Sequence, residues 1–189
     1  PLCIANYPTY NLSTFESDYT TLSDDPMKPL YNRALQGVYS PGSSFKPVTA
    51  IAALSRNFIG ADSTFECGGV YMEFADQGYT PHCTGVHGSL TVTEAITYSC
   101  NLFFYQVGNL IGIRNIDEYA AQLGLGEPTG IELYGEASGI FFDEATLANP
   151  DSYASLASAS FGQTFKITPL QLVRAVAAVV NGGYLLEPH

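Results

Sequence analysis

The chain has 189 residues, of which 46% are hydrophobic, and a formal net charge of −11 at pH 7. This length and apolar content are typical of one globular domain with its own core. The negative charge argues against binding to nucleic acid, whose phosphates need cations, and against a polybasic membrane-surface mode. No apolar run reaches the roughly 18 residues of a membrane span.

The first third of the sequence contains one strong helix signal. Residues 1–10 have the character of a strand interior, with Cys3 as a small core residue, so we interpret the chain as a piece of a longer protein. The polar stretch 11–29 is predicted to be a mobile connection. Ser43 is predicted at or near the N-cap of an apolar helix over 48–54, with Pro47 in its first turn.

Farther along, the sequence predicts a hairpin and several helices. Residues 65–88 are rich in glycine and lack a helical period, which indicates a loop or short hairpin. Thr91 and Glu94 match a capping box, and Thr168-Pro169 with Gln171 matches a helix start. The predicted helices span 90–98, 101–111, 116–123 and 169–180, and a strand is predicted to begin within 184–188.

A serine and a lysine three residues apart form the first candidate catalytic pair. Ser43 and Lys46 would lie on one face of a helix, within reach of each other. A hydroxyl becomes a good nucleophile when a neighbouring base takes its proton, and a desolvated lysine is such a base. Backbone N–H groups of the first helical turn would also favour negative charge there. The spacing alone arises by chance about one time in four in a chain of this composition.

Ser99-Cys100-Asn101 lies between two predicted helices, where a tight junction would present its side chains. With Ser43 and Lys46 it gives two of the three motifs of penicillin-binding proteins and class A β-lactamases. The surrounding sequence resembles the transpeptidase domain of penicillin-binding proteins over nearly the whole chain. The further matches, in the order of that family, are Asn32-Arg33-Ala34, Tyr39 with Pro41-Gly42 and Phe45, His87-Gly88, Glu94-Ala95, Gly124-Leu125-Gly126, Thr129-Gly130-Ile131, Phe161-Gly162-Gln163, Thr168-Pro169-Leu170-Gln171-Leu172 and Asn181-Gly182-Gly183.

The resemblance implies a fold and a reaction. The fold is α+β, the transpeptidase fold shared with β-lactamases, here a mostly helical subdomain with a few antiparallel strands. The reaction is peptidoglycan D,D-transpeptidation, an acyl transfer on D-Ala-D-Ala stem peptides that cross-links the cell wall and that β-lactams block. Neutral Lys46 would take the proton of Ser43 as its oxygen attacks the substrate. Ser99 would relay that proton to the leaving D-alanine, and Asn101 would orient Lys46. The substrate-binding candidates are Ser44, Asn101 and Gln163.

The resemblance also implies partners and a location. Stem peptides, β-lactams and other cell-wall synthesis proteins are the expected partners, and nucleic acid is not. The expected site of action is the outer face of the bacterial cell membrane, for a parent protein with an anchor. A D,D-carboxypeptidase or β-lactamase of the same fold, and a non-catalytic scaffold, stay open as alternatives.

One family motif is missing. No Lys-Thr-Gly or Lys-Ser-Gly occurs in the chain. Residues 1–189 are therefore predicted to be a partial transpeptidase domain, with an N-terminal strand, the helix of Ser43 and Lys46, and the helical subdomain of Ser99 and Asn101. The missing motif is expected downstream of His189. By itself the chain is expected to be inactive or weakly active unless a C-terminal segment or a second chain completes the site.

The cysteines leave three readings open. Cys67 and Cys83 bracket the glycine-rich segment, with His82 and His87 close by in sequence. A disulfide is typical of an extracytoplasmic enzyme, whereas thiolates with histidine suit zinc, although this spacing matches no standard zinc pattern. Free buried thiols are the third reading. No cofactor is predicted, and zinc on Cys67, Cys83, His82 and His87 is kept as the lesser possibility.

Overall fold

The computed structural model describes residues 1, 3–73, 75–141 and 159–189. None of the helices in these ranges is long and apolar enough to cross a membrane. Strands β1 (Phe65–Cys67) and β2 (Gly88–Leu90) pair antiparallel, with Phe65 opposite Leu90. The α-helices that lie wholly within the described residues are α1 (Phe15–Asp24), α2 (Lys46–Ser55), α3 (Val92–Thr97), α4 (Asn101–Ile111), α5 (Ile113–Gln122) and α6 (Pro169–Val180).

The chain forms two compact units, each built from separate stretches of sequence. The first contains Pro1–Tyr39, Gly124–Gly139 and Ile167–His189. The second contains Ser40–Leu123 and Ile140–Lys166, and it carries both candidate catalytic motifs.

Helix α2 is the centre of the second unit and packs against α4 and α5. Its buried face is made of small residues such as Ala52 and Ala53, which let neighbouring helices approach closely. Helix α4 buries Phe103 and Phe104 completely, and β1 packs against the same helix. The starts of α2 and α4, which carry the candidate catalytic side chains, are thereby fixed in a packed core.

A buried glutamine organises the first unit. Gln171, in the first turn of α6, accepts the backbone N–H of Thr168 through Oε1 (2.9 Å). Its Nε2 donates to the backbone oxygens of Glu127 (2.7 Å) and Ser138 (2.9 Å). Because a buried amide without partners would cost free energy, these contacts tie the 124–139 segment to the helix start.

Several predicted elements are confirmed. α4 has the predicted bounds, and α6 begins at Pro169 with the complete capping box of Thr168 and Gln171. α3 begins behind the Thr91 capping box, and α5 starts three residues before the predicted helix. The hairpin prediction also holds, since β1 and β2 close the 65–88 segment.

Three expectations near the termini are wrong. No described residue within 1–10 or 184–188 lies in a strand, because a strand exists only with a hydrogen-bonded neighbour, which these segments lack in the described structure. Asn6 instead bonds the side chain of Asn32 and the backbone N–H of Arg33. Cys3 is exposed rather than part of a core.

The polar stretch 11–29 contains a helix where a mobile connection is predicted. Asn11 caps a short 3-10 turn, and that turn leads directly into α1. Glu16 and Asp18 in the first turn of α1 complement the helix dipole, and Phe15 packs edge-on against Tyr19. These local interactions stabilise a helix that has no buried residue.

Candidate active site

A buried lysine lies among the side chains of the two motifs. Lys46 begins α2, and only 2% of its surface is exposed. Its Nζ donates hydrogen bonds to the backbone oxygen of Ser99 (2.6 Å) and to Oδ1 of Asn101 (2.8 Å). It also lies 2.9 Å from the hydroxyl oxygen of Ser99. The structure therefore brings together three of the four predicted catalytic residues.

The partners of Lys46 determine what its nitrogen can do. The Ser99 backbone oxygen and Asn101 Oδ1 only accept hydrogen bonds, so they engage two N–H groups of the lysine. A neutral amine has one lone pair left after these two bonds. That lone pair is available to a hydroxyl donor, which makes the nitrogen a potential acceptor of a serine proton.

Burial shifts Lys46 toward this neutral form. Loss of hydration lowers the pKa of Lys46 from its ordinary 10.5 to about 8, against the opposing electrostatic effect of the neighbouring thiols Cys83 and Cys100. The ring of Phe104, whose centre lies 5.7 Å from Nζ, also favours the charged form through a cation–π contact. Lys46 thus changes protonation close to neutral pH.

Ser43 lies one tight turn before Lys46. It belongs to a 3-10 helix, Gly42–Phe45, which runs directly into α2, and its backbone oxygen accepts the N–H of Lys46. The residue is exposed, and among the described residues no hydrogen bond joins its hydroxyl to Lys46 Nζ. Such contacts are often long in an unliganded site. Phe45 is the N-cap of α2, and Pro41 is the N-cap of the 3-10 helix, so Ser43 lies near the N-cap of α2, as predicted, and not at it.

The conformation of Ser99 explains how one residue presents two oxygens to the lysine. Ser99 lies between α3 and α4 with φ = +52°, in the left-handed region that costs a non-glycine residue about 1–2 kcal/mol. Asn101 follows as the first residue of α4, and its Nδ2 donates to the backbone oxygen of His82 (3.3 Å). This bond directs Oδ1 of Asn101 toward Lys46.

The predicted substrate-binding residues Ser44 and Gln163 surround the turn of Ser43. Ser44 donates its hydroxyl to the backbone oxygen of Pro41 (2.6 Å), so the hydroxyl is engaged in the local turn. Gln163 is exposed and follows Gly162, whose backbone oxygen accepts the N–H of Gly42 (3.0 Å). The segment thus supports the turn that contains Ser43, and contact of either side chain with substrate stays a prediction.

The comparisons with known proteins agree with this geometry. Residues 2–189 match the family described as "Penicillin binding protein transpeptidase domain". The chain belongs to this family. It is 35% identical over 199 residues to Peptidoglycan D,D-transpeptidase MrdA of Salmonella typhimurium (strain SL1344), an alignment that covers 100% of this chain and 32% of that protein. The chain therefore spans less than a third of the length of that curated relative.

Solved structures confirm the predicted transpeptidase fold. Pseudomonas aeruginosa PBP2 in complex with WCK 5153 superposes with a TM-score of 0.88 at 26% identity, covering 98% of this chain and 44% of that one. PBP2 from Helicobacter pylori in complex with MreC superposes with a TM-score of 0.87 at 27% identity, covering 98% and 36%. The likeness extends over both candidate catalytic motifs.

A cluster of thiols and an imidazole adjoins the transpeptidase motif. We call Cys67, Cys83, His87 and Cys100 the thiol cluster; its four potential ligand atoms all lie within 4.8 Å of one another. The Cys83 and Cys100 sulfurs are 3.8 Å apart, and His87 Nδ1 lies 3.4 Å from Cys67 and 3.5 Å from Cys83. All four cysteines of the chain are free thiols, so the disulfide reading is not what the structure shows.

Three of the six distances between the ligand atoms of the thiol cluster match those of a zinc site. A tetrahedral zinc with bonds of about 2.3 Å to sulfur and about 2.0–2.1 Å to nitrogen places sulfurs about 3.8 Å apart and sulfur about 3.5 Å from nitrogen. The distances above agree with both values. Three cysteines with one histidine are also a known structural zinc set. The residues therefore fit the metal.

One member of the predicted zinc set is wrong and another was missed. His82 is exposed and lies outside the thiol cluster; its backbone oxygen serves Asn101 instead. The fourth member of the thiol cluster is Cys100, which lies 33 positions after Cys67. The sequence signal that could have identified Cys100 as a cluster member was its position between Ser99 and Asn101.

The N-terminus of α4 determines the charge of the cluster. Burial alone would raise the pKa of Cys83, but backbone N–H groups at this helix end, including those of Leu102 and Asn101, outweigh it and lower the pKa to about 6. Burial raises the pKa of Cys100 to about 12. Near neutral pH the metal-free Cys83 is thus a thiolate beside protonated Cys100.

Proposed function

We propose that this chain supplies the acylating part of a serine D,D-transpeptidase that cross-links peptidoglycan on the outer face of the bacterial cell membrane. The observation that carries the proposal is the buried Lys46, held through two carbonyl acceptors with its pKa lowered to about 8. A lysine with only a structural role would have no need of such a site. Membership of the penicillin-binding protein transpeptidase family supports the same assignment.

The proposed acylation begins with the lone pair of neutral Lys46. As Ser43 Oγ bonds to the carbonyl carbon of the penultimate D-alanine, its proton passes to Lys46 Nζ. Collapse of the tetrahedral intermediate breaks the amide bond, and the proton passes through the Ser99 hydroxyl to the leaving D-alanine nitrogen. The 2.9 Å contact between Lys46 Nζ and Ser99 Oγ provides the path for that transfer.

The proposed second half-reaction forms the cross-link. An amine from a neighbouring stem peptide attacks the acyl carbon, loses a proton, and releases Ser43 Oγ, which takes a proton back. A β-lactam would follow the first half-reaction, with its ring amide opening onto Ser43. The backbone N–H of Ser43 would donate one hydrogen bond to the developing oxyanion, and losing one such donor typically costs about 10²–10³ in rate.

We propose that the second oxyanion donor lies outside residues 1–189. The absence of a Lys-Thr/Ser-Gly motif from the chain and its coverage of 32% of the Salmonella relative support this. We use "extended protein" for residues 1–189 together with the following sequence that carries the motif. The chain alone is then expected to be inactive or nearly so.

A fluorescent penicillin tests the proposal. The extended protein should form one adduct that intact mass spectrometry maps to Ser43, and the chain alone should form little or none. Ser43→Ala should abolish the adduct, whereas the matched variant Ser44→Ala should still form it. No adduct with either protein would refute the transpeptidase proposal and favour a scaffold.

Product analysis separates the alternatives within the fold. A synthetic D-Ala-D-Ala pentapeptide with an acceptor amine should yield a cross-linked product. Release of D-alanine without cross-linking would indicate a carboxypeptidase, and rapid turnover of the penicillin adduct would indicate a β-lactamase.

We also propose that the extended protein binds a partner protein of cell-wall synthesis. The H. pylori PBP2 complex with MreC supports this proposal, and co-purification with the extended protein would test it.

We also propose that the thiol cluster holds one zinc ion as a structural site. The match of three of its ligand-to-ligand distances to tetrahedral geometry, in a set of three cysteines and one histidine, carries this proposal. Protein purified without chelator should contain about one zinc per chain, and cobalt substitution should give the absorption of thiolate-bound Co²⁺. Cys67→Ser should lose the metal while Cys3→Ser, an exposed site outside the cluster, keeps it. Absence of stoichiometric metal and of the cobalt spectrum would refute the proposal.

A further inference from the structure

The first unit contains a cavity that the proposed acylation does not use. It has a volume of about 300 Å³, and its walls come from two separate stretches of chain, within 4–12 and 29–32. This volume is at the lower end of the range of about 300–1,000 Å³ that is typical of small-molecule sites. The four candidate catalytic residues belong to the other unit, and none of them lines the cavity.

Hydrogen bonds hold the two walls of the cavity in place. Asn6 Nδ2 donates to Asn32 Oδ1 (3.0 Å), and the backbone N–H of Arg33 donates to Asn6 Oδ1 (2.8 Å). The guanidinium of Arg33 donates to the backbone oxygen of Met27 (2.7 Å). It also stacks over the ring of Tyr31, with 5.8 Å between its carbon and the ring centre. Walls that are fixed before binding lose little conformational entropy when a ligand enters.

The lining combines aromatic rings with neutral polar groups. Tyr10 and Tyr31 each keep 36% of their surface exposed. Bonds within the protein occupy Oδ1 of Asn32, but its Nδ2 donates to no described residue. In the same part of the chain, the hydroxyls of Thr9, Tyr10 and Tyr31 have no hydrogen-bond partner. All of these groups can donate to a ligand, and the hydroxyls can also accept.

The charge of the lining restricts the kind of ligand. No charged side chain is among the described residues that line the cavity, in a chain whose net charge is −11. A charged ligand would therefore enter without a counter-charge, which costs free energy. A sugar is neutral, its C–H faces can pack on the tyrosine rings, and the groups at its edge can bond the asparagine and the hydroxyls. A neutral carbohydrate thus meets all three properties of the cavity.

We propose that this cavity binds neutral hexosamine units, of the kind that form the glycan strands of peptidoglycan. The choice of glycan rests on the proposed transpeptidase function, since the stem peptides of that substrate are attached to such strands. No bond forms or breaks at the cavity. A strand that occupies it while a stem peptide occupies the active site is held at two places, which raises the overall affinity for the polymer.

Binding of a soluble sugar tests the cavity without any acylation. The extended protein is titrated with triacetylchitotriose, a neutral trimer of N-acetylated hexosamine, and binding is measured by calorimetry and saturation-transfer NMR. Wild type should bind, and Tyr31→Ala should weaken binding at least about fivefold through loss of the ring contact. The matched variant Tyr134→Ala, at a fully exposed tyrosine of the same unit outside the cavity, should bind like wild type.

A second variant guards against a folding defect in Tyr31→Ala. Thr9→Val removes one hydroxyl from an exposed residue at nearly constant shape, and it should also weaken binding, by about threefold to tenfold. Absence of binding by wild type would overturn the inference. Unchanged binding in both cavity variants would overturn it as well, because the sugar would then bind elsewhere.

Insoluble peptidoglycan tests the polymer itself. The extended protein is first acylated with unlabelled penicillin to block Ser43 and is then sedimented with purified peptidoglycan. The blocked wild type should still sediment, triacetylchitotriose should release it, and Tyr31→Ala should sediment severalfold less. A D-Ala-D-Ala pentapeptide should not release it. Release by the pentapeptide and not by the sugar would overturn the inference, because the cavity would then recognise peptide.

The outcomes separate this inference from the proposed function. Fluorescent penicillin should label Tyr31→Ala and wild type at the same rate, because the cavity takes no part in acylation. Labelling without sugar binding would overturn the carbohydrate site and leave the transpeptidase intact. Sugar binding without labelling would refute the transpeptidase and support the carbohydrate site.

Discussion

The protonation of Lys46 predicts a pH profile for acylation. With a pKa of about 8, about one-tenth of the lysine is neutral at pH 7, half at pH 8 and nine-tenths at pH 9. An unburied lysine with a pKa of 10.5 would be neutral in only about one molecule in 3,000 at pH 7. Burial therefore increases the reactive form by about 300-fold.

The acylation rate of the extended protein with a fluorescent penicillin should follow this fraction. We expect the rate to rise about fivefold from pH 7 to pH 8 and less than twofold from pH 8 to pH 9, because the base form is required and saturates. Second-order rate constants between pH 6.5 and 9.5 would measure the profile. Ser43→Ala supplies the background of spontaneous penicillin hydrolysis.

Two lysine variants test whether the profile belongs to Lys46. Lys46→Met should abolish acylation, whereas Lys28→Met, at an exposed lysine in the other unit, should keep both the rate and the midpoint. A rate independent of pH between 7 and 9 would refute the role of Lys46 as the base. A rate that keeps rising tenfold per pH unit beyond 9 would refute the effect of burial on its pKa.

Two further predictions concern stability, measured by urea unfolding. Gly162→Ala should cost about 2–4 kcal/mol, because φ is +80° and a Cβ would lie 2.5 Å from that of Phe45. Gly183→Ala, with φ of +95° and open space, should cost about 1–2 kcal/mol, and equal losses would contradict the packing argument. Thr168→Ala should cost about 1–2 kcal/mol, because its hydroxyl caps α6 in a fully buried position. Thr91→Ala should cost less, since its bond to the Glu94 N–H is 3.5 Å long and near the surface, and the reverse order would contradict this reasoning.

The elements that could be predicted from sequence are those with local determinants. A helix start depends on residues that are close together in sequence. Thr168, Pro169 and Gln171 form such a signal, and α6 begins at the position that they predict. The strands predicted at 1–10 and 184–188 failed because a strand depends on a partner that its own sequence does not specify. α1 was missed because acidic residues in its first turn and an aromatic pair, rather than an apolar face, stabilise it.

The candidate active site shows the same difference between features with a local sequence signal and features that depend on distant residues. Lys46, Ser99 and Asn101 were identified through their resemblance to family motifs, and the structure places them in contact. The left-handed backbone of Ser99, which creates this contact, has no sequence signal because serine rarely adopts it. Cys100 was missed as a cluster member because its neighbours in space come from the distant hairpin.

The use of a main-chain oxygen at Ser99 has a consequence for evolution. A substitution at position 99 can delete the hydroxyl, but every amino acid retains the peptide carbonyl that accepts from Lys46. Side-chain substitution at position 99 therefore cannot remove this hydrogen bond to Lys46 as long as the backbone keeps its left-handed conformation there. Under the proposed function, substitutions can therefore alter the environment of Lys46 only through its side-chain contacts, such as those with Ser99 Oγ and Asn101 Oδ1.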